Sequence, residues 1–246
     1  MTRHVIEVAI ETPADAKTAE TGGADRIELS TALDLGGLTP SVGLYEAVRE
    51  ATGLPVFVML RPRPGDFVYD PGEVRAMARD AEVFRPLGPA GFVFGILQED
   101  GRIDRAACAH IRELCGGLPC VFHRAFDRCP VPGDALEDVI HLGFTRVLTS
   151  GRETTAIAGG GNIAKLRVAA AGRIELLPCG KIRASNIETV AEVTGCTQFH
   201  ASFGEPVPEA SERGRRGYPR RSWVSLSDLT EARRRLDELT SDRSGS

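Results

Sequence analysis

Short apolar runs alternate with amphipathic stretches along the whole chain. Runs at 4–10, 26–30, 56–61, 91–97, 120–124, 146–150, 173–178 and 198–202 are apolar or β-branched and bounded by turn residues, which reads as eight strands. Between them, stretches at about 14–19, 41–51, 72–85, 104–115, 133–142, 160–171 and 185–194 read as helices, with a last one at 227–240. Near-continuous apolar strands alternating with helices imply a parallel sheet covered by helices. Eight such units imply closure into an α/β (β/α)8 TIM barrel, and 246 residues is the usual size for one. The pattern gives a single domain over 1–240, with the polar stretch 241–246 expected as a disordered tail.

Local chemistry supports the helix boundaries. Thr12-Pro13 supplies a capping hydroxyl followed by proline at the first helical position, and Pro40-Ser41 opens the second helix in the same way. Gly143 and Gly172 lie just before the next strand, where a helix favours a terminal glycine. The last helix carries Leu226, Leu229, Leu236 and Leu239 on one stripe.

Apolar residues make up 42% of the chain, enough for a large core, and the net charge of −4 argues against a dedicated nucleic-acid binder. No apolar run approaches the roughly 18 residues needed to span a bilayer. Glu7 interrupts any signal-peptide core, so a cytoplasmic protein is expected, without membrane or nucleic-acid partners. Six cysteines form no CxxC pair, which reads as small core residues rather than a disulfide framework.

In such a barrel, function sits on the loops that follow the strands. The segment Pro119-Cys120-Val121-Phe122-His123-Arg124-Ala125-Phe126-Asp127 reads as a buried strand whose exit carries an imidazole, a guanidinium and a carboxylate. Burying such groups unpaired is costly, so they mark either a site or an ion pair that caps the barrel rim. Alternation places Glu7 on one face of strand one with Val5 and Ala9, and pairs Glu28 with Ser30 on strand two. Arg61 ends strand three, His123 ends strand five, and His200 with Ser202 ends strand eight. If these faces point inward, two carboxylates, a guanidinium and two imidazoles converge on one mouth, as a binding cavity or a polar plug.

Three loops add candidate chemistry. Arg61-Pro62-Arg63-Pro64-Gly65-Asp66-Phe67 is stiff and basic, which suits either an anion clamp or a rigid turn with solvated charges. Cys179-Gly180-Lys181-Ile182 follows strand seven, where barrels hold phosphate, and Gly180 allows close backbone approach. The stretch 203–224 is long and basic, with Arg213, Arg215, Arg216, Arg220 and Arg221, and reads as a lid or as a mobile loop. Gly159-Gly160-Gly161 lacks a trailing Lys-Ser/Thr and reads as a helix start.

These segments resemble the CutC family, named for copper homeostasis. The resemblance rests on Gly22-Gly23-Ala24-Asp25-Arg26-Ile27-Glu28-Leu29, Gly36-Gly37-Leu38-Thr39-Pro40-Ser41 and Arg61 to Phe67. It continues through Phe122-His123-Arg124-Ala125-Phe126-Asp127, Arg146-Val147-Leu148-Thr149-Ser150-Gly151 and Phe199-His200-Ala201-Ser202, and so covers nearly the whole chain. It implies a cytoplasmic (β/α)8 barrel, a homo-oligomer, and copper as a possible cofactor. The thiols proposed for copper in relatives fall here on Ala9 and Ser30. Cu(I) prefers soft thiolate or thioether ligands, with imidazole a fair substitute. The remaining metal candidates are Cys129 and Cys179, with His123 and His200.

Two functions are therefore expected as alternatives. One is copper handling, as the family name implies. The other is an enzyme acting on a small anionic or phosphorylated molecule. Arg61, Arg63, Arg124, Ser150, Lys181, His200 and Ser202 would then hold the anion. Glu7 or Glu28 would serve as general base and His123 as acid, with Asp127 beside them.

Overall fold

A computed structural model describes residues 3–206 and 222–242. Eight strands form one parallel sheet: β1 Val5–Ile10, β2 Arg26–Leu29, β3 Val56–Met59, β4 Gly91–Phe94, β5 Cys120–Phe122, β6 Arg146–Thr149, β7 Glu175–Pro178 and β8 Gln198–Ala201. The ladder runs β7-β6-β5-β4-β3-β2-β1-β8, so the sheet curls until β7 and β8 adjoin, and the barrel is nearly closed. Eight helices cover it: α1 Pro13–Thr21, α2 Val42–Ala51, α3 Pro71–Phe84, α4 Arg105–Leu114, α5 Pro132–His141, α6 Gly160–Ala170, α7 Ile187–Thr194 and α8 Leu226–Asp242. The (β/α)8 barrel expected from the alternating pattern is the observed fold.

The sequence signals act as their chemistry dictates. Thr12 Oγ1 accepts the Asp15 N–H at 3.1 Å and Ser41 Oγ accepts the Leu44 N–H at 3.1 Å, which fixes the starts of α1 and α2. On α8, Leu229 and Leu236 are fully buried and Leu239 packs against the core, whereas Leu226 lies exposed at the first turn. Helix α8 continues to Asp242, two residues into the stretch expected as a tail, and the rest of that stretch lies outside the described residues.

Most strands end one to three residues earlier than their apolar runs suggested. Ser30, Arg61, Arg124, Ser150 and Ser202 therefore lie just past the ladder, on the loops of the mouth. A two-stranded ribbon, β9 Gly204–Pro206 against β10 Ser222–Val224, rises from the loop after β8. Asp15 Oδ1 accepts the Val224 N–H at 2.9 Å and ties this ribbon to α1. The basic stretch with Arg213, Arg215, Arg216, Arg220 and Arg221 lies outside the described residues.

Two apolar cores result. The larger one fills the layer between sheet and helices. The smaller one fills the barrel interior with Phe57, Met59, Val93, Val121, Leu148 and Leu177, joined by Cys179. Phe57 lies across the floor because β4 begins with Gly91: a Cβ there would come within 2.3 Å of the Phe57 ring and 2.4 Å of the Pro119 carbonyl oxygen. Gly91→Ala should destabilise the fold by about 3 kcal/mol, the upper part of the usual range for overpacking a tight core. Urea unfolding checks this, and a loss below about 1 kcal/mol would show that Phe57 can move aside.

Candidate functional site

The site rises from a charged floor. Glu7 sits midway along β1, facing inward and fully shielded from water. Its register sets Arg26 of β2 on one side and His200 of β8 on the other. Arg26 Nε donates to Glu7 Oε2 at 2.5 Å, and Arg146 Nη1 of β6 lies 3.6 Å from the same oxygen. Both guanidinium groups also lie over the Phe57 ring, Arg146 at 4.4 Å from its centroid and Arg26 at 6.0 Å. Burial opposes the Glu7 charge, yet Arg26, the hydrogen bond from His200 and Arg146 outweigh it and hold the carboxyl down at about 2. Glu7 is thus a permanent anion whose oxygens are already taken.

Above the floor stand His200 and Glu28. His200 Nδ1 meets Glu7 Oε1 at 2.8 Å, which leaves Nε2 facing Glu28 Oε1 at 3.9 Å. Burial works against the imidazolium, but Glu28 and Glu7 overcome it and raise His200 above its ordinary value. Glu28 is only 3% exposed, and its Oε2 has no hydrogen-bond partner. Burial, reinforced by the Glu7 charge and opposed by His200, pushes the Glu28 carboxyl up to about 7. Glu28 therefore exchanges a proton near neutrality, and a ligand atom resting on Glu28 and His200 would touch both.

The opposite wall carries a different histidine. His123 follows β5 and is 4% exposed. Its Nδ1 accepts the Ala125 N–H at 3.3 Å, and its Nε2 has no partner. The ring packs against Phe67 at 4.7 Å, in space that Gly95 leaves open: a Cβ there would lie 2.8 Å from Nδ1. Burial and the neighbouring Arg61 push His123 down to about 3, so it is neutral in the physiological range. Arg61, 3% exposed, donates to the carbonyls of Leu35, Gly37 and Gly65 at 2.9, 3.1 and 2.9 Å, while its Nε is unpartnered.

Between these walls lies a cavity of about 810 Å³. Its lining includes Glu28, Arg61, His123, Arg124, Asp127, Lys181, His200 and Ser202 from the sequence-derived set. Arg124, Arg128, Arg152, Lys181 and Arg183 stand on the rim after β5, β6 and β7 together with Asp127 and Glu153, whereas Glu11, Asp15 and Asp34 stand after β1 and β2. Asp127 is a bracket: it accepts from Thr149 Oγ1 at 2.5 Å, Ser150 N at 3.0 Å and Oγ at 2.9 Å, and Arg152 N at 3.2 Å. Ser150 in turn accepts from Arg124 Nη2 at 2.9 Å. Lys181 is exposed and held in the left-handed region at φ 54°.

Other candidates lie elsewhere. Arg63 is spent on Glu73 at 2.5 Å, Asp66 at 3.0 Å and the Val68 carbonyl at 2.7 Å, and it staples its own loop. Cys129 is buried in the outer core with its thiol 3.8 Å from the Ala125 carbonyl. Cys179 does line the cavity, 2% exposed, and burial pushes its thiol well above the ordinary range. Sequence reasoning missed Arg26 and Arg146 as the partners of Glu7. The available signal was parity, because Arg26 sits two residues before Glu28 and Arg146 two before Leu148, on the inward face of each strand.

The donor set tests the copper expectation directly. A soft Cu(I) site needs sulfur ligands close together, and Cys179 is the one thiol on the cavity among the described residues. Glu7, Glu28 and His200 place one ligand atom each within 4.8 Å of one another, but these are oxygen and nitrogen donors, and Glu7 already serves two arginines. The residues present do not make a Cu(I) thiolate site.

The Glu28 carboxyl also couples stability to pH. Its folded-state value, about 7 against an ordinary 4.5, lets the native state keep a proton that the unfolded chain releases. This contribution is complete below pH 4.5 and disappears as pH rises through 7. Glu28→Gln cannot ionise, so relative to the parent it should gain roughly 2–3 kcal/mol between pH 4 and pH 8. Urea unfolding across that range checks this, and a constant difference would show that Glu28 titrates as an ordinary carboxyl.

Comparison with known proteins agrees with the geometry of the barrel. The CutC family model matches residues 4–205. The chain is 44% identical over 198 residues to a human protein named copper homeostasis protein cutC homolog, covering 80% of this chain and 72% of that one. It is 43% identical to a CutC family protein of Porphyromonas gingivalis, covering 83% of each. The crystal structure of the putative copper homeostasis protein CutC from Streptococcus agalactiae superposes with a TM-score of 0.77 at 33% identity, covering 81% of this chain and 98% of that one. Thiamine phosphate pyrophosphorylase from Pyrococcus furiosus, at 13% identity and a TM-score of 0.58, covers 96% of each chain and shares the fold alone. With the model matched from β1 to β9 and relatives well above 30% identity, the chain belongs to the CutC family, associated by name with copper homeostasis.

Proposed function

We propose that this chain binds a small anionic molecule in the barrel mouth and moves a proton on it. The observation that carries this reading is the pair of unpartnered buried donors, Arg61 Nε and His123 Nε2, on one cavity. A buried donor left without an acceptor costs on the order of 1–3 kcal/mol, and a ligand oxygen placed there recovers that energy. With Arg124 paired to Asp127 and Arg183 to Asp228, it is Arg128, Arg152 and Lys181 on the rim that favour a negatively charged ligand, and Glu28 beside His200 supplies a group that exchanges protons near pH 7. Six buried free thiols fit a reducing compartment, and we place the protein in the cytoplasm. Among the described residues no helix is long and apolar enough to cross a membrane.

Thermal denaturation with inorganic phosphate, sulfate and small carboxylates tests the reading. At least one anion should raise the melting temperature of the parent by several degrees at millimolar concentration. His123→Ala should weaken that anion at least tenfold, whereas Arg63→Gln, outside the cavity, should leave its affinity unchanged. Failure of every anion to protect the parent would overturn the reading.

Copper handling is the second reading, favoured by family membership and by the Cys179 thiol in the cavity wall. A single buried, protonated thiol predicts weak Cu(I) binding. A competition titration on reduced protein, repeated on Cys179→Ala, checks this. Tight stoichiometric binding lost in the variant would put copper first.

A further inference from the structure

The two walls of the cavity carry complementary unpartnered atoms. On the β5 wall, His123 accepts the Ala125 N–H at Nδ1, so a neutral ring carries its hydrogen on Nε2, where no acceptor meets it. Arg61, from the loop after β3, also has an unpartnered Nε, and both side chains pack on Phe67, Arg61 at 5.0 Å and His123 at 4.7 Å from its ring centroid. On the other wall, Glu28 Oε2 is buried and unpartnered. Strand order sets His123, after β5, three strands away from Glu28 on β2, whereas Arg61 follows β3, the immediate neighbour of β2. Met59 and Leu148 of the interior core also line the cavity and add apolar surface to it.

A ligand satisfying both walls needs two features. It needs an oxygen that can take up negative charge beside His123 and Arg61, and a hydrogen that can leave as a proton toward Glu28. A carbonyl with a C–H on the neighbouring carbon has both. We propose that the site removes a proton from the carbon next to the carbonyl of a small anionic oxo compound, with Glu28 as base and His123 as a neutral hydrogen-bond donor to the oxygen. This rests on the anion-binding reading and names its substrate class.

The step balances without an outside oxidant or reductant. The C–H bond breaks, its electron pair becomes the new C=C bond, and the carbonyl π pair moves onto oxygen. His123 Nε2–H and Arg61 hold that enolate oxygen. Glu28 takes up the proton, exchanges it with solvent and returns a proton to the same carbon, as the C=C pair forms the new C–H bond and the oxygen pair restores the carbonyl. His200 is a positioning residue: tethered by Glu7 through Nδ1, it sets its Nε2 beside Glu28 and sustains the carboxylate. Buried beside a cation, His123 retains its hydrogen throughout, which a donor to a developing oxyanion requires.

Proton exchange tests this on the full chain. Dihydroxyacetone phosphate and pyruvate are incubated in D2O and their C–H signals followed by NMR. At least one should exchange 100-fold or more above the buffer rate. Glu28→Gln should lower that rate by about 10³-fold while still binding inorganic phosphate, and Glu28→Asp should restore part of it. His123→Ala should lower it by about 10²-fold. Nitrogen-15 NMR of labelled histidines should show His123 as the neutral Nε2–H tautomer from pH 5 to 8. Exchange at the buffer rate with both compounds, exchange indifferent to Glu28→Gln, or a protonated or Nδ1–H His123 would overturn the proposal. If phosphate protects the fold while exchange is absent, the anion reading stands and this step falls. If neither is seen, both fall.

Discussion

A single carboxylate organises the barrel. Glu7 has no contact with water, yet it remains charged because β2, β6 and β8 each turn a cationic or hydrogen-bonding side chain toward it. Desolvating such a group costs several kcal/mol, which close and well-directed partners must offset. Those partners fix register as well as charge. A one-residue slip of β2 would point Arg26 and Glu28 outward together, leaving Glu7 and His200 without them. The charged floor therefore specifies the strand pairing from which the mouth is built.

From that floor the two histidines acquire opposite characters. His200 stands between two carboxylates and is driven toward its cation. His123 stands beside Arg61 and an aromatic ring and is driven toward neutrality. Residue type alone assigns neither role; the wall on which each strand ends assigns it. The mouth also stores backbone strain. Ala32, Arg152, Lys181 and Phe203 adopt left-handed φ values of 53°, 67°, 54° and 46°, and all lie on loops that follow β2, β6, β7 and β8. Side-chain-bearing residues occupy that region at a cost of roughly 1–3 kcal/mol each, and such strain clusters where loops must present groups to a site.

Much of this was legible in the chain. Eight apolar runs with helical stretches between them were enough for the barrel, because strands buried on both faces leave a strong signal. Parity along the strands brought Glu7, Glu28 and His200 to one interior and put Arg61 and His123 near its rim. What parity could not supply was partnership. Arg63 and Asp127 look as available in sequence as Arg61 and His123. In the folded chain, Arg63 is consumed by Glu73, and Asp127 by Thr149, Ser150 and Arg152. Cys129 looked like a mouth thiol because it follows β5, but the 3-10 turn Arg124–Arg128 carries it outward under α5, into the outer core. Hydrogen bonding across loops distant in sequence decides which polar groups stay open, and no local pattern records it.

The positions where the family resemblance expects thiols bear directly on Glu28. Ala9 lies directly beside Glu28 in the β1–β2 register, and the Ser30 N–H donates to the Ile10 carbonyl at 3.1 Å. Thiols at 9 and 30 would thus flank the Glu28 carboxyl. A thiolate there would add negative charge to a buried anion and hold Glu28 protonated, whereas a bound cuprous ion would draw it toward the metal. With alanine and serine, neither happens. Ser30 Oγ is buried without a partner, and a Cβ at Gly37 would approach it to 3.0 Å, so glycine at 37 leaves the space over Ser30 open. The Glu28 carboxyl is therefore set by burial, His200 and Glu7, with no sulfur beside it at positions 9 and 30.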